Sequence, residues 1–436
     1  MSKIKLLHIA VHLGGGAGKA IAGMMISAGK VAESDIVLLE NPLNQTYVNQ
    51  LRKQHSKVKV ERDADTIRRL IPGYDVVVIN WWGHPLMIRL LLEMEGVQGR
   101  FIIWSHINGC SYPYLHGAFL DRFDKVLFTT GYSLDNATWG IKERQRIMEK
   151  SAVVYGMGDF HPEQVSPKTT CFEHSGLTIG YVGTLNYAKL HPRFLEYYKE
   201  AAKKYPGVRF VMLGEPSKEV RLAIRNSGLE ESFELPGYVD CVWAYYQRMD
   251  VFAYLLNERT YATTENALVE AMAAGLPVIV LNNPVERHII QHGVNGLLVN
   301  NPAEFVDCIE WLSMNQNGRE LGRRGRNFCI SRYSASANLD VFYSACKDAM
   351  ACRERTYLFR EALGRSPFEA FCIQAGPEGQ LFQRICDGGM EEAAEELRRL
   401  PIYLEEDKAS VFQFARYFPE SEELQTIARF IKQYEN

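Results

Sequence analysis

Short runs of apolar residues alternate with longer amphipathic stretches through most of the chain. In the first third the runs are Ile4–Val11 (IKLLHIAV), Asp35–Glu40 (DIVLLE), Asp75–Asn80 (DVVVIN), Phe101–Ser105 (FIIWS) and Lys125–Thr129 (KVLFT). They are rich in β-branched and aromatic residues, and enough chain for a helix separates each from the next. That alternation predicts a parallel, doubly wound sheet. The pattern pauses over Tyr155–Lys168 (YGMGDFHPEQVSPK), a Gly- and Pro-containing linker candidate. It resumes with Leu177–Val182 (LTIGYV), Val208–Leu213 (VRFVML), Asp250–Leu255 (DVFAYL) and Pro277–Leu281 (PVIVL). Two α/β halves are expected, 1–160 and 170–335, with a ligand site where their strand C-terminal ends and helix N-termini face one another. Strand signals stop near residue 335. Residues 336–352 read as a crossover helix. Residues 353–436 read as an all-helical extension, carried by MEEAAEELRRL and SEELQTIARFIKQY.

Composition narrows the function classes. With 436 residues, 47% hydrophobic and 23% charged, the chain can bury two or three cores of about 150 residues each. Its 49 basic and 52 acidic side chains leave −3, and residues 351–436, with 11 basic against 16 acidic, hold the acidic surplus. Neither part is basic enough to bind nucleic acid by counterion release. The net charge of the extension also opposes adsorption to anionic lipid. Nine cysteines without a Cys-x-x-Cys pair fit a reducing cytosol. The apolar run at the start breaks into glycines too early for a signal peptide or a membrane span. A soluble, cytoplasmic, enzyme-sized protein is expected.

Three segments carry candidate chemistry. Gly14-Gly15-Gly16-Ala17-Gly18-Lys19 joins the first strand to a helix, where glycines let backbone approach a phosphate or sugar. It is not a P-loop, because Leu13 and Ala20 occupy positions that would need Gly and Ser or Thr; a tight turn without a ligand is the alternative. Asp63-Ala64-Asp65 has the form of an Asp-x-Asp metal motif, yet it directly precedes helical IRRLI, where Asp favours the first turn. The densest signal lies in TTENALVEAMAAGLPVIV. There Thr263 or Thr264 can cap a helix whose apolar face is Ala267, Leu268, Ala271 and Met272, and Gly275 stops it. Backbone donors from Thr263 to Asn266 could meet a diphosphate, and Glu270 a ribose or sugar hydroxyl. His106 follows FIIWS at a strand C-terminal end, where ligands sit. Trp81, Trp82, His84, Asn108, Tyr112 and Tyr114 could wall an acceptor, with core packing as the alternative.

The run from GYVD through ENALVEAMAAGLPVIV to NGLLV resembles the C-terminal domain of GT-B glycosyltransferases, in particular the retaining glycosyltransferase family 4 (group 1). Gly183-Thr184-Leu185 with Lys189, the strand VRFVMLGE and the segment RGRNFCISRYS follow the same pattern in the same order. The resemblance covers about residues 3–350, most clearly 177–335. It implies an α/β GT-B fold of two Rossmann-like domains facing a cleft, with the extension beyond what the family needs. It also implies transfer from a nucleotide-diphosphate sugar to a glycan or lipid-linked glycan, with retention and with neither cofactor nor metal. In the residues that match, Lys189 neutralises the donor diphosphate, Glu270 holds the ribose and His106 contacts the sugar. Gly15 and Gly16 close on the donor, and Tyr238 and Val239 flank the base. Gly183, Thr184, Thr264, Glu265, Asn266 and Ala267 complete the donor site.

Two departures stand out. The family's Glu-x7-Glu motif would place its first carboxylate at Ala262, with Glu258 and Glu265 nearby but out of register. Thr184 stands where many relatives carry arginine. A catalytically reduced subunit that binds a sugar nucleotide or glycan and recruits a partner, or associates with itself, through 353–436 is therefore the alternative expectation. A non-transferase GT-B enzyme, such as an epimerase or phosphorylase, is the third. For a working enzyme, peripheral association with the cytosolic membrane face fits the acceptor class.

Overall fold

The computed structural model describes residues 3–42, 45–168, 172, 176–239, 241–258, 263–398, 400, 403 and 409–434. Contacts group Met1–Asp159 with Leu339–Asn436 as one unit and Phe160–Asn338 as a second.

In the first unit the strands are β1 (Ile4–Ala10), β2 (Ala32–Leu38), β3 (Val58–Val60), β4 (Val76–Trp81), β5 (Val97–Gly99), β6 (Phe101–Ser105), β7 (Lys125–Phe128) and β8 (Ser151–Val153). Seven of them form a parallel sheet in the order β3-β2-β1-β4-β6-β7-β8. All of β4 and β6 is buried, which is why both read as nearly continuous apolar runs, interrupted only by Asn80 and ended by Ser105. The order reverses between β1 and β4, and the loops beyond their C-terminal ends border that switch point.

The second unit repeats the plan with β9 (Thr178–Val182), β10 (Arg209–Leu213), β11 (Phe233–Gly237), β12 (Val251–Tyr254), β13 (Val278–Leu281) and β14 (Leu297–Val299). Its parallel order is β11-β10-β9-β12-β13-β14, with the switch point between β9 and β12. Next to it, the loops after β9 and β10 approach closely. A side chain on Gly214 would meet the Gly183 carbonyl at 2.0 Å, and Gly214 sits at φ +135°.

The C-terminal part is helical, with helices at Pro367–Ala375, Gly379–Cys386, Met390–Arg398, Val411–Tyr417 and Glu422–Tyr434. It is not all-helical as the sequence suggests. Residues Arg355–Tyr357 form β15, which pairs antiparallel with β5. Three residues with two exposed are too few for a strand pattern to show. This part shares the core of the first unit. Tyr357 lies ring to ring with Phe101 at 4.4 Å, accepts from the Phe101 N–H at 2.9 Å and donates to Asp124. Arg89 meets Glu420 at 2.8 Å and lies over the Phe418 ring.

Candidate functional site

In the second unit, the strands on either side of the switch point bring Lys189 and Glu265 together. Lys189 lies in the loop after β9. Its backbone N–H bonds Asn186 through both the carbonyl and the side-chain oxygen, and its carbonyl accepts from the Asn257 N–H. The Lys189 ammonium is 2.7 Å from Glu265 Oε2, and the Tyr254 hydroxyl, at the end of β12, donates to the same oxygen at 2.6 Å. The Lys189 side chain is 26% exposed and the Glu265 side chain 3%. The cation thus reaches solvent while its counter-charge is enclosed. Tyr181 stacks on Tyr254 at 5.5 Å and donates to the Thr184 carbonyl, shaping the loop that leads to Lys189.

The helix that follows starts later than the sequence suggests. Its N-cap is Glu265, not Thr263 or Thr264, and it runs Asn266–Ala273. Glu265 has φ +52°, a left-handed conformation costly for a side chain with a Cβ. It makes no side-chain cap bond, because its carboxylate is turned to Lys189 and Tyr254. Thr264 is buried, and Asn266, Ala267 and Glu270 are half-buried. The Ala267 carbonyl accepts from the Tyr246 hydroxyl at 3.3 Å, and burial followed by the nearby Glu270 charge pushes that phenol well above its ordinary range. Gly183, at φ +151°, leads into exposed Thr184. At the far side of the sheet Tyr238 is exposed and Val239 half-buried. Ala262, the expected position of the first motif carboxylate, lies outside the described residues.

Two contributors went unread in the sequence. Tyr254 was hidden inside a strand pattern. Glu286, in the first turn of the helix Pro284–Ile289 after β13, is 2% exposed. Burial and then the Glu265 charge push its carboxyl up to about 8. A carboxylate one turn past a buried parallel strand was the available signal.

In the first unit, the expected residues gather at the C-terminal edge of the sheet. His106 Nε2 is 3.2 Å from Asn80 Oδ1, with its ring 4.7 Å from Trp104 and 6.1 Å from Trp82. Burial, with a smaller effect from His8, lowers it to about 3, so it is a neutral imidazole. Trp82 also meets His12 at 5.4 Å, and His84 caps the helix Pro85–Glu93 by accepting from the Leu86 N–H. Trp81 and Tyr112, expected in an acceptor wall, are core residues. Trp81 packs on Phe119 at 4.6 Å, while Tyr112 packs on Tyr403 and donates to the Ala409 carbonyl. Asn108 is buried and accepts from the Cys110 N–H. Tyr114 is half-buried, and its N–H donates to the Gln374 carbonyl.

The glycine loop opens the helix Gly15–Ala28, and a Cβ on Gly15 or Gly16 would meet nothing within 4 Å. That open space permits a ligand to approach the backbone. Gly18 instead faces the Leu13 backbone at 2.8 Å. Asp63 caps the helix Ala64–Leu70, accepting from the Thr66 N–H at 2.7 Å. Among the described residues no group of three or more His, Cys, Asp or Glu side chains is placed to hold a metal.

Residues 176–315 match the family described as Glycosyl transferases group 1. Alpha-monoglucosyldiacylglycerol synthase of Acholeplasma laidlawii is 34% identical over 142 residues. That alignment covers 32% of this chain and 33% of the relative, so the chain spans about a third of its length. Among solved structures, a glycosyltransferase from Rickettsia africae ESF-5 superposes with TM-score 0.64 at 15% identity, covering 81% of this chain and all of that one. The Anabaena protein HepE, solved with UDP and glucose, gives 0.61 at 14%, covering 79% and 99%. The chain therefore has the GT-B architecture of two Rossmann-like units, and its residues 176–315 match the group 1 glycosyltransferase family.

Proposed function

We propose that the protein is a glycosyltransferase that moves a sugar from a nucleotide-diphosphate sugar to a glycan or lipid-linked glycan, with retention and without a metal. The family match over 176–315, centred on a unit whose switch point presents Lys189, carries the reading. In this mechanism Lys189 leaves Glu265 to meet the donor diphosphate and stabilises it as it departs, with help from the amides at Asn266. Glu270 holds the ribose, and His106, uncharged, accepts from or donates to a sugar hydroxyl. The Acholeplasma relative, a monoglucosyldiacylglycerol synthase, supports a lipid-linked acceptor, and the UDP-glucose bound by the HepE protein makes that donor the first to test. Membrane contact would be peripheral. Among the described residues no helix is long and apolar enough to cross a membrane.

The test is a thermal-shift panel of UDP-, GDP-, ADP- and CMP-sugars followed by a transfer assay on diacylglycerol, glycolipid and oligosaccharide acceptors. Stabilisation by one nucleotide class with transfer is expected. Failure of every sugar nucleotide to stabilise the protein rejects the donor site. Binding without turnover points instead to a sugar-nucleotide-binding subunit.

A further inference from the structure

Glu286 is buried, feels the charges of both Glu265 and Lys189, and has no ion pair of its own among the described residues. The sheet explains the neighbourhood. Strand β13, which precedes its helix, pairs with β12, so residues after both strands emerge side by side. The Asn283 side chain donates to the Leu256 carbonyl at 3.1 Å and ties the two loops together. The groups facing Glu286 are Lys189 from the loop after β9, and Tyr254 and Glu265 from β12 and the loop after it. Asn283 on its own segment also bonds it. One ammonium therefore serves two enclosed carboxyls. Ionising both would leave an uncompensated charge out of water, which favours a proton on one of them. Glu265 receives the ammonium and a phenol hydroxyl, so Glu286 is the one that keeps the proton.

We propose that Glu286 is a positioning residue of the donor site: as a neutral acid it limits the pocket to one carboxylate against one ammonium, so that Lys189 can leave Glu265 for an incoming diphosphate. This rests on the donor-site reading of the second unit. An ionised Glu286 would hold Lys189 back and repel the donor. Donor affinity must then fall as pH rises through the range in which Glu286 loses its proton.

The experiment measures UDP-glucose binding calorimetrically from pH 7 to 9 for the wild type and Glu286→Gln, with infrared spectra of the same samples. The wild type is expected to lose up to about tenfold in affinity per pH unit above about 8. Glu286→Gln should show no such slope, and Glu286→Asp should keep a slope. The wild-type spectrum at pH 7 should show a carboxylic-acid carbonyl band that disappears on titration and is missing from Glu286→Gln. An equal slope in both proteins, no slope in the wild type, or no acid band overturns the proposal. If UDP-glucose binds neither protein at any pH, the donor reading fails for that nucleotide, and the infrared band alone decides the protonation of Glu286. That band can be read on the wild type even if the variant does not fold.

Discussion

The ammonium of Lys189 and the hydroxyl of Tyr254 converge on one oxygen of Glu265, at 2.7 and 2.6 Å. The cation proposed to meet a diphosphate is thus held in place before any donor arrives, by a carboxylate that solvent hardly reaches. Removing Lys189 leaves that carboxylate enclosed with only a phenol, a loss of about 3 kcal/mol for a broken buried pair. Lys189→Ala should therefore lower both the melting temperature of the second unit and transfer, the latter by at least ~100-fold. Tyr254→Phe should cost about 1–2 kcal/mol in chemical denaturation. Full transfer in Lys189→Ala would sink the assignment.

Glu265 sits at φ +52°, where glycine is at ease and other residues are strained. Glu265→Gly and Glu265→Ala lose the same ion pair, so their difference isolates the backbone. The glycine variant should be the more stable by about 1 kcal/mol in urea unfolding. Equal stabilities would show that the left-handed conformation is not kept.

The glycines of the first helix separate ligand approach from packing. A methyl on Gly16 meets nothing within 4 Å, whereas one on Gly23 would lie 2.1 Å from the Asp159 backbone nitrogen. Gly16→Ala should keep or raise the melting temperature, by roughly 0.5–1 kcal/mol of helix propensity, while weakening donor use. Gly23→Ala should destabilise the fold by more than about 2 kcal/mol. Unchanged kinetics in Gly16→Ala would remove the loop from the site.

Two histidines make the first unit acid-sensitive. Burial holds His8 and His106 at about 3 against 6.5 unperturbed, and among the described residues neither ring nitrogen of His8 has a hydrogen-bond partner. The unfolded chain takes up these protons first. Stability from the neutral rings is therefore complete above pH 6.5 and declines as pH falls towards 3, by on the order of 1 kcal/mol per pH unit for each ring. His8→Leu should flatten that decline in melts between pH 7 and 4. The same shift implies that the kcat/KM profile has no acid limb from His106 above about pH 5.

Deleting 353–436 removes Tyr357 and Phe359 from the rings of Phe101 and Phe123. The first unit should then lose its cooperative unfolding transition. Tyr357→Ala alone should cost about 3–5 kcal/mol. A truncated chain that keeps that transition would show the extension to be dispensable for the fold.

Sequence pattern alone located β1, β4, β6, β9, β12 and β13. Strands covered on both faces must be largely apolar, and that requirement leaves its mark residue by residue. The motif run around Lys189 and Glu270 pointed to the group 1 family for the same local reason: short loops and helix starts are built from consecutive residues. Edge strands such as β3 and the pair β5 with β15 were not legible, since three partly exposed residues impose no periodicity. The helix start at Glu265 was misread because the cap bond expected of a threonine is replaced by a backbone turn at positive φ. The meeting of Lys189 with Glu265, 76 positions apart, and the burial of Glu286 beside them were decided only by the tertiary structure. Strand order places the loops after β9, β12 and β13 on one sheet edge, and no local pattern in a chain encodes which strands will be neighbours.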